Sequence, residues 1–291
     1  MGRGKLRAIK RRIESTRSTE HITHAMEMVA TAKVNKAFRN WHAFSSYVQK
    51  VDEIVKDCMS GLNSEDHPLL FSPGKVYEKT VVFLISSDMG LAGAYNLDLI
   101  RAAEEEADKL KDKFAGYMVI GTKGLGNFRY RQKKILYGED RFYDKPNFAT
   151  AEMLVNQILT LLEEEKADSF KIVYSKFHSS LLQKPRTLDL LPILPTEGNS
   201  EKNYRIEYEF EPDASQVLDS AIPLYLSSHL MNLLLEAQVS ELYSRQNAMR
   251  NATENAENLI EKFTLDYNKA RQASITNEII EIVNGAEALK G

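Results

Sequence analysis

The stretch that decides the fold is residues 34–62, VNKAFRNWHAFSSYVQKVDEIVKDCMSGL. Its apolar residues recur at alternating steps of three and four, the heptad spacing of a helix that packs lengthwise against another helix. They are Val34, Ala37, Trp41, Phe44, Val48, Val51, Val55, Cys58 and Leu62. A looser stripe precedes them from Ile9, and the first proline is Pro68. The sequence therefore predicts one helix over about residues 5–60, roughly 80 Å long at 1.5 Å per residue.

The other end of the chain repeats this organisation. Its apolar stripe consists of Met249, Ala252, Ala256, Leu259, Phe263, Tyr267, Ala270, Ile275, Ile279, Ile282, Ala286 and Leu289. No proline follows Pro223, and no glycine occurs between Pro223 and Gly285, so a second helix of about 60 residues or more is predicted. Because one small domain cannot cover two such stripes, we expect the helices to form an antiparallel pair and to contact partner chains as well.

Between the helices the pattern changes to strands alternating with helices. Apolar runs at 80–86, 116–122 and 170–177 are typical of buried strands, and the segments between them include helical patterns near 97–110 and 150–165. The proline-containing run 187–195, together with 203–210, is expected to supply an edge strand and the return to the last helix.

The predicted fold class is α/β: a long antiparallel two-helix coiled coil from the N- and C-terminal helices plus a small Rossmann-like α/β domain. The predicted domains are 1–62, the N-terminal coiled-coil helix, 63–211, the α/β domain with its connecting loops, and 212–291, the C-terminal coiled-coil helix.

Composition excludes several classes of protein. The 291 residues are 43% hydrophobic and 27% charged, as in ordinary globular chains. No run approaches the ~20 apolar residues of a membrane helix, and the single cysteine, Cys58, permits no intrachain disulfide. The net charge of −3 hides a basic start, because residues 1–40 hold ten Lys or Arg against three Glu, or +7. No aromatic residue precedes Phe38 in this block, although nucleic-acid modules usually interleave aromatic and basic residues, so a solvated helix face or an acidic protein partner is favoured.

No catalytic template fits the chain. The segment SSDMGLAGAYN (86–96) follows a predicted strand, but it lacks GxxxxGK[ST], and neither it nor GTKGLG (121–126) spells GxGxxG. We interpret Asp88, Gly90 and Gly93 as a turn that needs positive φ. A cluster of Glu20, His21, His24 and Glu27 lacks a further ligand for a metal site. No catalytic residue, cofactor or metal is predicted, and a mechanical or scaffolding role is favoured.

Two long blocks of sequence resemble a known family. LRAIKRRIESTRSTEHITHAMEMVATAKVNKA (6–37) is similar to the opening helix of ATP synthase gamma subunits, and residues 240–289, which contain AMRNATENA, YNKARQASIT and EIIEIVNGAEAL, are similar to the closing helix. SSDMGLAGAYN resembles the family's SDRGLCGxxN loop, and the EPD at 211–213 matches its lead into the last helix.

The resemblance implies a non-catalytic rotor shaft of a proton-translocating ATP synthase. Such a shaft transmits torque between the membrane rotor ring and the catalytic beta subunits and sets their conformations. The implied partners are three alpha and three beta subunits, the epsilon subunit and the membrane c-subunit ring, without nucleic acid. The implied location is peripheral, at the cytoplasmic face of the bacterial inner membrane.

The matched motifs also imply contact residues. Met26, Arg245, Gln272 and Thr276 are candidates for contact with the beta subunits, and Tyr208 and Glu211 are candidates for contact with the rotor ring. Met26 could instead be a coiled-coil core residue and Arg245 a surface ion-pair partner. The basic residues Arg7, Lys10, Arg11 and Arg12 are expected to face acidic partner surfaces.

Three positions depart from the family pattern. Met89 stands where an arginine is common, Ala92 where a cysteine is common and His24 where a lysine is frequent. The cysteine-bearing regulatory insert of chloroplast members is absent, so thiol control is not expected. Two rival classes remain: a coiled-coil scaffold unrelated to ATP synthesis, and a nucleotide-binding enzyme.

Overall fold

The chain forms five α-helices and five β-strands in the described residues of a computed structural model, which are 2–60, 69–70, 76–142, 146–193 and 214–288. In chain order the elements are α1 (Gly2–Ser60), β1 (Thr80–Ile85), α2 (Tyr95–Leu110), a 3-10 turn (Lys111–Lys113), β2 (Phe114–Ile120), α3 (Thr122–Tyr130), β3 (Ile135–Glu139), α4 (Phe148–Glu163), β4 (Ser169–Phe177), β5 (Gln183–Leu191) and α5 (Ala214–Ala288).

The strands form a single sheet with the order β3-β2-β1-β4-β5. The first four strands are parallel, and β5 runs antiparallel to β4 at the edge. Every residue of β1 is buried, as expected of a central parallel strand covered on both faces. The three predicted buried strands and the edge strand before Pro192 are thereby confirmed, whereas residues 203–210 lie outside the described residues.

Alternate residues of β1 face the two sides of the sheet, and each side has its own core. Val82 and Leu84 lie in the core that contains α2 and α3, whereas Val81, Phe83 and Ile85 lie in the core that contains α4 and α5. The last helix is thus part of the α/β domain's own core over Ile222–Ala237. It begins at Ala214 and continues through Pro223.

The chain divides into two compact units, Ala32–Ser244 on the one hand and Met1–Thr31 with Arg245–Gly291 on the other. In the larger unit Val34 and Ala37 of α1 pack with Val239 and Leu242 of α5, and Asp52 of α1 pairs with His229 of α5. Because rising numbers on α1 meet falling numbers on α5, the helices are antiparallel there, as predicted.

The heptad stripe of α1 forms its buried side. Val34, Ala37, Val48, Val51 and Val55 are buried, and Trp41 and Phe44 are half-buried against the cores. Within the larger unit the stripe also contacts the sheet. The Trp41 ring packs edge-on against the Phe177 ring of β4, with ring centroids 5.8 Å apart. The stripe therefore packs against both α5 and the α/β domain.

Ion pairs also join neighbouring helices of the α/β domain. Glu104 Oε2 of α2 accepts a hydrogen bond from Arg131 Nη1 at 2.7 Å, and Glu104 Oε1 lies 2.8 Å from Lys133 Nζ; both cations follow α3. Burial favours a higher pKa for Glu104, but the hydrogen bonds and charges of these two cations lower its pKa overall. Across the described part of the chain, no helix is long and apolar enough to cross a membrane.

Candidate functional site on the terminal helix segments

The smaller unit is built from the start of α1 and the second half of α5. Its buried side chains are Ala30, Met249, Thr253, Ala256 and Arg245. All but Arg245 are small or slender, and small residues let two helices approach closely. The Thr253 hydroxyl donates to the Thr23 hydroxyl at 2.8 Å. One pair further along, Gln246 Nε2 donates to the Thr31 hydroxyl at 2.8 Å. These two contacts show that the two helices are antiparallel in this unit too. Because hydrogen bonds are directional, the contacts also fix the register of one helix against the other.

Met26 and Arg245 lie in this unit but in different environments. Met26 is half-buried, and Ile22 and Val29, which share its helix face, are 58% and 57% exposed. An exposed apolar patch on α1 therefore flanks Met26. If Met26 is a core residue of the coiled coil, only part of the Met26 side chain is buried there. Arg245 is 7% exposed, so it is not the surface ion-pair partner that the alternative interpretation required.

Gln272 and Thr276 lie together on the last part of α5. Both side chains are exposed, and the Thr276 hydroxyl donates to the backbone carbonyl of Gln272 at 3.0 Å. The neighbouring Ile275 and Ile279 are 47% and 55% exposed. Ile280, Ile282 and Val283 are also exposed. Apolar surface of this extent on a helix end is typical of a protein-binding surface.

The basic residues of the first turns are exposed, as a docking role requires. Arg7, Lys10, Arg11 and Arg12 all have exposed side chains. Lys10 lies 4.0 Å from Glu14 one turn along the same helix, an exposed pairing of little energetic value. The proposed rotor-ring residues, Tyr208 and Glu211, lie outside the described residues.

The SSDMGLAGAYN segment is held by internal hydrogen bonds at the amino end of α3. Asp88 Oδ1 accepts from the Thr122 backbone N–H at 2.8 Å and from its hydroxyl at 2.9 Å. Lys123 N donates to the Ser87 carbonyl at 3.0 Å, and Gly124 N donates to Ser86 Oγ at 2.9 Å. A carboxylate thus occupies the amino end of α3, the helix that GTKGLG begins, where a phosphate would otherwise bind, which argues against nucleotide binding by that motif.

The backbone of this segment differs in one respect from the predicted turn. Positive φ occurs at Gly93 (58°), as predicted, but its partner is Leu91 (61°) and not Gly90. The two departures from the family pattern that lie in this segment have opposite environments, because Met89 is half-exposed whereas Ala92 is buried. Ala92 is therefore part of the core beside α2, whereas the exposed apolar side chains of this loop are Met89 and Leu91.

Two histidines of α1 lie beside neighbouring carboxylates. His24 Nδ1 lies 3.9 Å from Glu27 Oε2, and His21 Nδ1 lies 3.3 Å from Glu20 Oε2. Within the described ranges no group of three or more His, Cys, Asp and Glu side chains has an arrangement that could hold a metal ion.

A polar stripe on α5, which the sequence reasoning missed, lies in the larger unit. It consists of Ser228, Asn232, Glu236, Ser240 and Ser244, each four residues after the last. Spacing by four places each of these side chains one turn beyond the previous one, so that they form a stripe that winds gradually around the helix. Ser228, Glu236 and Ser240 are buried. A glutamate inside the apolar run LLLEA (233–237) is the signal that could have drawn attention to the stripe.

The fold and these surfaces define a class of protein: an antiparallel pair of terminal helices that carries an α/β domain and presents uncovered apolar and polar side chains for partners. Solved structures share this fold. One is the central stalk and c-ring structure of Tetrahymena thermophila mitochondrial ATP synthase, with a TM-score of 0.63 and 23% identity, covering 79% of this chain and 99% of that chain. Another is a Euglena gracilis mitochondrial ATP synthase structure, with a TM-score of 0.67 and 17% identity, covering 98% and 95%.

Sequence comparison identifies the family. The ATP synthase family model matches residues 5–289. The ATP synthase gamma chain of Moorella thermoacetica is 40% identical over 285 residues, which are 98% of this chain and 99% of that protein. The gamma chain of Staphylococcus carnosus is 36% identical over 289 residues, which are 99% of this chain and 100% of that protein. The chain belongs to the ATP synthase gamma chain family, and is thus a non-catalytic subunit of a membrane-bound complex that synthesises ATP.

Proposed function

We propose that this chain is the central rotor shaft of a proton-translocating ATP synthase. It transmits torque between the membrane rotor ring and the catalytic beta subunits, and it sets the conformations of those subunits. The observation that carries the proposal is the end of α5, where exposed Ile275 and Ile279 flank exposed Gln272 and Thr276 on a chain of the gamma family. Exposed apolar side chains of this kind are more stable when a partner protein covers them than when they face water.

The partners of the chain follow from the family and from the structures that share its fold. They are three alpha and three beta subunits around the helix pair, and the epsilon subunit and the c-subunit ring at the α/β domain. Met26, Arg245, Gln272 and Thr276 are the proposed contacts with beta subunits, and Tyr208 and Glu211 are the proposed contacts with the rotor ring. The exposed basic residues at the start of α1 would meet acidic partner surfaces, where complementary charge speeds and orients docking.

The helix pair suits the transmission of torque because its packing leaves little freedom. Close packing at small residues and the paired hydroxyls of Thr23 and Thr253 hold the two helices in one register, whereas a flexible linker would absorb an applied load. The shaft has different side chains on different faces, so each beta subunit meets a different surface at each angle. Differences in contact free energy between open and closed beta subunits would then shift their populations.

The domain assignment and the cellular location form part of the same proposal. Residues 1–62 and 212–291 are the shaft, and residues 63–211 are the α/β domain with its connections. The chain is peripheral at the cytoplasmic face of the bacterial inner membrane, held there through the complex.

Purification of the tagged chain from its own cells tests this function. We expect alpha and beta subunits to co-purify in equal amounts, three of each per tagged chain, and the complex to hydrolyse ATP, whereas the isolated chain has no ATPase activity. Thermal shift of the isolated chain with ATP, GTP or NAD separates the rival interpretations, because a nucleotide-binding enzyme would be stabilised by its ligand. Recovery of the chain without alpha and beta subunits, or ATP turnover by the chain alone, would overturn the proposal.

A further inference from the structure

Glu236 is a buried carboxylate at the centre of the polar stripe on α5. Its side chain is 7% exposed, and its Oε1 accepts a hydrogen bond from the Phe177 backbone N–H at 3.1 Å. The Tyr174 hydroxyl makes a second hydrogen bond to it. Burial raises the pKa of Glu236, although these hydrogen bonds and the nearby charges of Lys176 and Arg186 act in the opposite direction. The carboxylate of α5 is therefore satisfied by groups of β4.

Two further hydrogen bonds attach the same part of α5 to the α/β domain. The Ser244 hydroxyl donates to Gln183 Oε1 at the start of β5, at 3.1 Å. The Tyr95 hydroxyl at the start of α2 donates to the Ala237 carbonyl at 3.1 Å. Over residues 236–244, α5 is thus bonded to β4, β5 and α2, in addition to the apolar contacts that it makes with the core.

The two kinds of contact constrain the helix differently. Apolar burial is not directional, so a helix held by apolar contacts alone can adjust its rotation at modest cost. A buried carboxylate needs its hydrogen-bond partners, because leaving it without them is strongly unfavourable. A shift of α5 by one turn would place Asn232 or Ser240 opposite Phe177 and would carry Glu236 away from its donors. The stripe therefore defines one axial and rotational setting.

We infer that Glu236 is a positioning residue that fixes the setting of α5 on the sheet, so that load on the α/β domain turns the shaft helix without slippage. This inference rests on the proposed rotor function. Its structural part, the bond between α5 and β4, can be tested on the full chain alone.

The test uses four variants of the full chain. Glu236→Leu and Glu236→Met remove the acceptor at similar side-chain size, and Glu236→Gln keeps an oxygen that can accept from Phe177. The matched control is Glu106→Leu, because Glu106 is also buried and paired, with Lys109 Nζ at 3.0 Å and Lys171 Nζ at 3.7 Å, but lies on α2. If one of the two apolar variants, Glu236→Leu or Glu236→Met, does not fold, the other is used for both measurements.

The first measurement is amide hydrogen exchange of Phe177. We expect exchange at Phe177 to be about tenfold faster in the apolar Glu236 variants, while Glu236→Gln and Glu106→Leu leave it within about twofold of the wild type. Unchanged exchange at Phe177 in both folded apolar variants would show that the hydrogen bond does not hold α5 to β4, and would overturn the inference.

The second measurement is the coupling of assembled complexes, as protons pumped per ATP hydrolysed in vesicles. We expect the ratio to fall about threefold or more in the apolar Glu236 variants, with the wild-type ratio kept in Glu236→Gln and in Glu106→Leu. A normal ratio in the apolar variants overturns the inference but leaves the rotor function standing. Failure of the wild-type chain to enter a complex with alpha and beta subunits instead overturns the rotor function.

Discussion

Replacing Gln272 and Thr276 together by alanine should separate folding from function. In the chain alone both side chains are exposed, and the Thr276 hydroxyl donates to the Gln272 carbonyl of the same helix. Alanine has a higher helix propensity than threonine by up to ~0.7 kcal/mol. We therefore expect the free energy of unfolding of the double variant to stay within about 0.5 kcal/mol of the wild type, as for other exposed substitutions.

In the complex the same change should be costly. If the two side chains bond to beta subunit loops, their loss leaves partner groups unsatisfied at about 1–3 kcal/mol, and 1.4 kcal/mol corresponds to a factor of ~10 in an equilibrium. ATP synthesis in vesicles, measured beside the subunit content of the same membranes, should fall about five- to a hundredfold, through lower assembly or a lower rate per complex. Thr264→Ala is the matched control, since that exposed hydroxyl makes the same bond four residues back, to the Ile260 carbonyl at 2.7 Å. Normal subunit content with unchanged synthesis and hydrolysis rates in the double variant would refute the assignment of these two residues.

Five further substitutions test the fold and its charged groups. Phe44→Ala should lower the free energy of unfolding by about 2–3 kcal/mol, less than the ~3–5 kcal/mol of a fully buried phenylalanine, because the ring is half-buried. Urea unfolding followed by the fluorescence of the single tryptophan measures this change. A decrease below about 0.5 kcal/mol would place the ring in solvent. Gly121→Ala should lower the free energy of unfolding by more than about 3 kcal/mol or prevent folding, because Gly121 has φ +93° and an added Cβ would overlap the backbone of Ser86, just after β1. Gly126→Ala should instead stabilise the chain by about 0.5–1 kcal/mol, since its Cβ meets open space inside a helix; equal thermal shifts for both glycine variants would contradict the geometry. The lowered pKa of Glu104 makes its contribution to stability present above the unfolded pKa near 4.5 and lost as pH falls, so the destabilisation by Glu104→Gln should shrink on acidification. Glu236, whose pKa is raised, should show the reverse: the stability of Glu236→Gln relative to the wild type improves as pH rises above about 4.5. Parallel trends for the two variants would show that one of the two pKa directions is wrong.

The parts of the fold that were predictable from sequence are those governed by periodicity. The heptad spacing in α1 and the apolar run in β1 each predict which side chains are buried. By contrast, α3 and β3 were not predicted as elements. The α3 sequence begins TKGLG, with two glycines that weaken a helical pattern, and β3 is only five residues long with Gly138 inside it. Tertiary packing against neighbouring strands and helices stabilises both elements, and no local pattern contains that information.

The candidate site divides in the same way. Exposure of Ile275 and Ile279 is what the length of the final stripe predicted, since one small domain cannot cover it. Gln272 and Thr276 came from the family resemblance, because their polarity alone distinguishes them little from other exposed helix residues. Glu236 escaped notice because its role depends on Phe177, which lies 59 residues earlier in the chain. A one-dimensional pattern cannot pair two such residues.

The uncovered end of α5 also bears on the life of the chain before assembly. From Ile275 to Glu287 every side chain is exposed, and an isolated helix of that length is only marginally stable in water. A newly made chain would therefore carry a fraying, isoleucine-rich tail that proteases can cleave and that other unassembled chains can bind. Insertion among its partners would cover this tail. Subunits made in excess should accordingly be short-lived in the cell, and quality control could distinguish them from assembled ones by this segment.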